Sequence, residues 1–281
     1  MPLIRMDTLL VAARSKGQAI GAFECWNSDN IHAIAKAAAE TGSPVIFQAS
    51  PAECGLMGGA DVLRRIVETY VGKFGVTAAL HLDHGSTIAH VQECLEAGFT
   101  SVMLDASTLP YEENCALAQQ TCALAHPRGV SVEAELGHVG GAAEGGVAAE
   151  SALTVPEEAE RFVAESGVDC LAVAIGTVHG DYRGKPELRL TRLREIASRV
   201  TVPLVLHGGS GTPPDQLAKA IALGIAKINI CTEIDKTYIA AIKEAEGHLT
   251  PSVPGNFYRP AIAAVASHVS RLIRQFQGEN Q

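Results

Sequence analysis

A repeated alternation is the strongest constraint on what this chain can fold into. Short β-rich runs are each followed by a longer run with helical spacing, and the cycle recurs eight times within 281 residues. Residues 19–23, 44–48, 76–82, 101–104, 130–136, 170–174, 203–206 and 225–230 read as strands. Helices are predicted over 31–41, 60–71, 86–97, around 111–125, 156–166, 189–199, 213–223 and 232–246, with an amphipathic tail helix at 259–277. Gly42, Gly72, Gly98, Gly167 and Gly224 mark helix ends, and Pro156 opens a helix. No linker composition interrupts the run, so residues 1–281 are expected to form one domain of the α/β class, a (β/α)8 TIM barrel. A doubly wound open sheet would show a Gly-rich phosphate turn after the first strand, and residues 21–30 (GAFECWNSDN) have none.

Composition narrows the function classes. Hydrophobic residues at 47% and charged residues at 19% supply a large core and exclude global disorder. With 22 Lys plus Arg against 31 Asp plus Glu, the net charge of −9 disfavours nucleic acid as a partner. An anionic substrate then needs a local cationic site or a metal. The sequence shows no apolar run of about 18 residues and no apolar stretch behind a basic start, so neither a membrane span nor a secretory signal is expected. Seven cysteines without a C-x-x-C pair read as reduced thiols of a cytoplasmic protein.

Barrel enzymes carry their chemistry at the C-terminal ends of the strands. There the sequence presents His81-Leu82-Asp83-His84-Gly85, Asp105, Glu133-Ala134-Glu135, Gly176-Thr177-Val178-His179-Gly180, His207-Gly208-Gly209-Ser210-Gly211 and Asn229-Ile230-Cys231-Thr232. Three strand exits thus offer a histidine followed by glycine. Three imidazoles with an open fourth position make a catalytic zinc site, so His84, His179 and His207 are the metal candidates. Strand alternation puts Asp83 and His81 on one face and His84 on the other, unless the strand has already ended. The Gly-rich turn 208–211 and the helix start after Asn229–Thr232 are candidate phosphate cradles. The low-periodicity, Gly-Ala-rich residues 137–152 read as a mobile lid, with His138 at its start. His32, His90, His126, His248 and His268 lie in or beside helical runs and read as ordinary structural residues.

These blocks, together with Ser101-Val102-Met103-Leu104-Asp105-Ala106-Ser107 and Lys227-Ile228-Asn229-Ile230-Cys231-Thr232-Glu233, resemble the class II, zinc-dependent ketose-bisphosphate aldolases, most closely the tagatose-bisphosphate and short fructose-bisphosphate branches. The resemblance implies a lyase that reversibly cleaves a ketose 1-phosphate or 1,6-bisphosphate to dihydroxyacetone phosphate and an aldehyde. It implies Zn2+ on His84, His179 and His207, with a monovalent cation as an optional second ion. Asp83 would protonate the aldehyde oxygen during condensation. Gly180, Gly208, Gly209, Ser210, Asn229, Ile230, Cys231 and Thr232 would bind dihydroxyacetone phosphate, helped by Ser50, with Asp105 and Glu135 near the metal. Glu144 is the candidate loop acid that moves the enediolate proton. A homodimer or homotetramer is implied as well, with Arg259 and Pro260, placed before the last helix, as interface candidates.

Departures from the family pattern bear on the substrate. Cys231 stands where the fructose branch carries Asp, and Asp235 falls where the resemblance implies an Arg that grips the distal phosphate of a neighbouring subunit's substrate; adjacent Lys236 offers compensation. Glu24 stands where the family usually has Asn, and Trp26 is unusual there. The expectation is an aldolase whose aldehyde half is uncharged or non-standard. Three rival readings compete. A zinc hydrolase on the same barrel would usually start from His-x-His on strand one. A Schiff-base aldolase would use Lys227. A catalytically silent barrel subunit would be expected to lose Asp83 or the histidines.

Overall fold

In the computed structural model, which describes residues 3–141, 149–182, 184, 186–246 and 255–279, eight parallel strands close into a barrel in sequence order. The elements are α1 (Met6–Arg14), β1 (Ile20–Glu24), α2 (Ser28–Thr41), β2 (Val45–Ala49), α3 (Pro51–Leu56), α4 (Ala60–Phe74), β3 (Ala78–Gly85), α5 (Ile88–Ala97), β4 (Ser101–Leu104), α6 (Tyr111–Ala125), β5 (Ser131–Leu136), α7 (Pro156–Ser166), β6 (Cys170–Val173), α8 (Leu190–Arg199), β7 (Leu204–Leu206), α9 (Pro214–Ala222), β8 (Ile225–Ile230), α10 (Thr232–Glu246) and α11 (Gly255–Phe276). The barrel expected from the alternation is the barrel observed.

Local signals explain most boundaries. Capped by Asn27, α2 starts three residues before the predicted helix, because the Asn27 side chain accepts from Asn30 N at 2.8 Å while Asn30 Oδ1 accepts from Asn27 N at 3.4 Å. Helix α4 does not stop at Gly72 as expected. The apolar stripe of Leu63, Val67 and Val71 continues to Phe74, and this outweighs a mid-helix glycine cost of about 1 kcal/mol. Gly75, at φ 66°, ends it instead. Helix α11 takes in Arg259 and Pro260 rather than starting after them. Two helices escaped the sequence reading, α1 and the short α3. Among the described residues no helix is long and apolar enough to cross a membrane.

The barrel interior is layered. Met6, Leu9, Leu10 and Ala13 of α1 pack against inward-facing Ile20, Ile46, Ala79, Cys170, Val205 and Ala226, so α1 stoppers the end where the strands begin. Outward-facing residues such as Phe47, Leu80, Val132, Leu171 and Leu206 join the helices in the main hydrophobic shell. The interior between the stopper and the strand ends is polar: His81, Glu133 and Lys227 are all fully buried. Buried charges require partners, and these support the site above them.

Candidate active site

Strand β3 sets the geometry. His84, at φ 47°, is the one non-glycine residue with positive φ among the described residues, and the β3–β4 register shifts between Leu82 and Gly85. This kink breaks the strict alternation of the strand. It lets Asp83 and His84 both line the cavity at the barrel mouth, with His84 Nε2 4.0 Å from Asp83 Oδ2. The next residue, Gly85, lies so close to β4 that a Cβ there would sit 2.5 Å from Met103 O.

The other two histidines arrive from β6 and β7. His179 N donates to Gly140 O at 2.8 Å, and Gly141 bridges to His179, so the start of the predicted lid runs beside the site. His207 is fully buried at the end of β7. Its successor Gly208, at φ 62°, packs so closely that a Cβ would meet Val178 O at 2.4 Å. One ring nitrogen of each of His84, His179 and His207 lies within 4.8 Å of the other two. His84 Nε2, His179 Nε2 and His207 Nδ1 are buried and have no hydrogen-bond partner. Orphaned buried nitrogens are costly unless a ligand satisfies them.

Carboxylates orient the rings from behind. His84 Nδ1 lies 2.7 Å from Asp105 Oδ2, and His207 Nε2 lies 2.9 Å from Glu133 Oε1. Glu135 Oε2 is 2.8 Å from His207 Nδ1 but outside hydrogen-bond geometry, and its Oε1 accepts from Val139 N at 2.9 Å. Burial opposes charge on His207, yet Glu133 and Glu135 outweigh it and push the ring up to about 10. Burial likewise opposes charge on His84, but Asp83 and Asp105 raise it. His179 lacks such partners and is held down to about 4 by burial and its two imidazole neighbours. A field that makes imidazoles basic also favours a cation. The donor set, three imidazoles of which His84 and His207 carry a carboxylate on the far nitrogen, fits zinc.

Asp83 is held in place by amides. Gln48 Nε2 donates to Asp83 Oδ2 at 3.0 Å, and Asn229 Nδ2 donates to Oδ1 at 3.1 Å. Burial opposes its charge, but His84 and Lys227 hold the carboxyl down to about 2. Gln48 Nε2 also donates to Glu24 Oε2 at 3.1 Å. Burial, then Asp83 and Glu53, push the Glu24 carboxyl well above the usual range. Below them Lys227 Nζ donates to both oxygens of Glu133, at 3.1 and 2.9 Å. Burial works against its charge, but Glu133 and Asp83 keep the ammonium raised above its ordinary pKa. Schiff-base chemistry needs a neutral amine within reach of the substrate, and Lys227 is buried, ion-paired and one layer below the cavity. Removing one partner of a buried pair is costly. The Lys227→Met variant is expected to lose about 3–5 kcal/mol of stability, read from the urea midpoint. An unchanged midpoint with turnover lost in the variant, alongside wild-type turnover that a chelator leaves intact, would instead restore the Schiff-base reading.

The cavity above is lined by Ser50, Gly180, Gly208, Ser210, Asn229, Cys231 and Thr232 together with Asp83, His84 and His179. Ser210 Oγ accepts from Cys231 N and Glu233 N, tying the β7 exit to the start of α10. Two expected substrate contacts do not line it. Gly209 N donates to Asn229 O at 3.1 Å, and Ile230 is buried in the hydrophobic shell. Glu144 and His248 lie outside the described residues. His32 stacks on Tyr70 at 5.0 Å, His126 pairs with Asp169 at 3.0 Å and His268 with Glu233 at 2.9 Å, all away from the cavity. His90 lies 3.3 Å from Ser86 Oγ on α5, and His138 contacts Ser107 Oγ at 3.1 Å. Sequence reasoning did not single out Gln48, Glu53 or the role of Glu133. The available signal was a polar residue at the end of an otherwise apolar strand, as in Val45-Ile46-Phe47-Gln48.

Comparisons with known proteins agree with this geometry. The family model described as fructose-bisphosphate aldolase class-II matches residues 4–281. A probable fructose-bisphosphate aldolase of Bacillus subtilis (strain 168) is 40% identical over 284 residues, covering 100% of both chains. A fructose-bisphosphate aldolase of Staphylococcus epidermidis is 39% identical over 284 residues, covering 100% of this chain and 99% of its own. Among solved structures, the YdjI aldolase from Escherichia coli K12 superposes with a TM-score of 0.87 at 32% identity, covering 98% of this chain and 97% of its own. The chain belongs to the class-II fructose-bisphosphate aldolase family and is an aldolase, a carbon–carbon lyase.

Proposed function

We propose that this aldolase is zinc-dependent and reversibly cleaves a ketose 1-phosphate or 1,6-bisphosphate to dihydroxyacetone phosphate and an aldehyde. The carrying observation is that one ring nitrogen from each of His84, His179 and His207 is gathered within 4.8 Å beside Asp83, and that each ring has a buried nitrogen without a hydrogen bond. Zinc held there supplies a Lewis acid that draws electron density from the substrate's carbonyl carbon, a contribution of several kcal/mol.

The chain's own groups carry the proton steps. In cleavage, ionised Asp83 takes the proton of the hydroxyl beyond the scissile bond. That oxygen then forms the aldehyde carbonyl, and the electrons of the C–C bond pass to the enediolate. Condensation runs the same transfer backwards, with Asp83 as donor. Glu144, carried over from the resemblance, returns a proton to the enediolate carbon. The backbone at Gly180, Gly208, Ser210 and Thr232, the last at the start of α10, receives the substrate's phosphate. Assembly as a homodimer or homotetramer and a cytoplasmic location belong to the same reading, supported by the family alone.

Steady-state cleavage of fructose 1,6-bisphosphate, tagatose 1,6-bisphosphate and a ketose 1-phosphate tests it. At least one should yield dihydroxyacetone phosphate, and a chelator should abolish the reaction until zinc is restored. Turnover indifferent to chelation would end the zinc reading.

A further inference from the structure

A second cavity of 280 Å3 adjoins the first and shares Glu24, Glu53 and Cys231 with it. Its described lining comes from the β1 exit, α3 and the β8 exit with α10, and none of it from the β7 exit that carries the Gly-rich turn. Its charged side chains are all acids: Glu24, Glu53 and Asp235, the last on the first turn of α10. Its walls are Trp26 and Tyr238, which meet edge-to-face at 6.2 Å, with Leu56 and Ile239, 76% and 51% exposed. Among the described residues that line it there is no lysine or arginine. Lys236, the neighbour that offered compensation, points elsewhere and pairs with Asp181.

A phosphate dianion needs cations or converging N–H donors. Whether protonated or not, three carboxyl groups offer neither a positive charge nor an amide cradle. They suit hydroxyl groups, which both donate and accept. The aromatic and aliphatic walls suit the C–H faces of a carbon chain. The floor points the same way. Gln48 Oε1 and Asn229 Oδ1, on side chains more than nine-tenths buried at the first cavity, lack hydrogen-bond partners. Both are left for a ligand hydroxyl to satisfy.

We infer that this second cavity is the aldehyde-tail subsite and selects an uncharged, hydroxylated aldehyde over one ending in phosphate or carboxylate. The inference rests on the aldolase reading above and specifies its substrate class. Asp235 acts as the charge filter, because it is the acid of this cavity that does not also line the first one.

The test is condensation of dihydroxyacetone phosphate with erythrose and with erythrose 4-phosphate, by zinc-loaded protein. Wild type should favour erythrose in kcat/KM by at least about tenfold, as expected for an anion brought against a group of carboxylates. Asp235→Arg should move that ratio towards the phosphate by at least about tenfold. The isosteric Asp235→Asn should move it the same way by less, which keeps the test decisive if the arginine variant fails to fold. Brisk turnover with a wild-type preference for erythrose 4-phosphate overturns the inference alone. No condensation with either aldehyde overturns the aldolase reading beneath it.

Discussion

Alanine at His179 or His207 is expected to empty the zinc site and to lower the cleavage rate by about a thousandfold or more. A Lewis-acid contribution of several kcal/mol corresponds to that factor at about 1.4 kcal/mol per tenfold. Metal analysis of the purified variants and their steady-state kcat read both effects together. The two positions differ in a useful way. His207 leans on Glu133, so its loss also disturbs the buried pair with Lys227. The recorded backbone anchor of His179, its N–H on Gly140 O, survives truncation of the side chain. A His179 variant with intact circular dichroism, one full equivalent of zinc and undiminished turnover would refute the three-histidine site.

Asparagine at Asp83 is expected to keep the zinc and the fold while lowering kcat about 10²–10⁴-fold. The amide has nearly the shape of the carboxylate and can still accept from Gln48 or Asn229. It cannot take up and return a proton at this pH. The loss should therefore fall on kcat, with KM changed much less. The opposite split, a raised KM at full kcat, would make Asp83 a binding residue and leave the proton transfer without an owner.

The barrel was legible because its signal is periodic and repeated eight times. The three histidines were legible because each precedes a glycine at a strand end, and closure of the barrel brings strand ends together. The support beneath them was much harder to read. Glu133 and Lys227 are 94 residues apart and meet only through the register of the closed sheet. No local spacing announces that contact. Gln48 joins Glu24 to Asp83 across three neighbouring strands for the same reason. The strand-alternation rule put His84 on the opposite face from Asp83, and a single left-handed residue overrode it. Helix α1 lies outside the β-then-α cycle, so a reading built on that cycle passed over its Met6, Leu9, Leu10 and Ala13 stripe. The acidity of the distal cavity was visible only in part. Asp235 stood out, whereas Glu53 joins it through the short helix α3 that had no predicted counterpart.

The left-handed backbone at His84 restricts which residues position 84 can hold. Asparagine, aspartate, histidine and glycine enter that conformation at little expense, while β-branched and bulky residues do not. Of those four, only histidine and aspartate have side chains that zinc ordinarily takes as ligands. A random library at this codon is thus filtered twice, once by coordination and once by torsion, and aspartate is the sole replacement that passes both screens. The metal can in principle be re-tuned at this corner towards a harder, oxygen-rich environment, but not towards a sulfur-rich one.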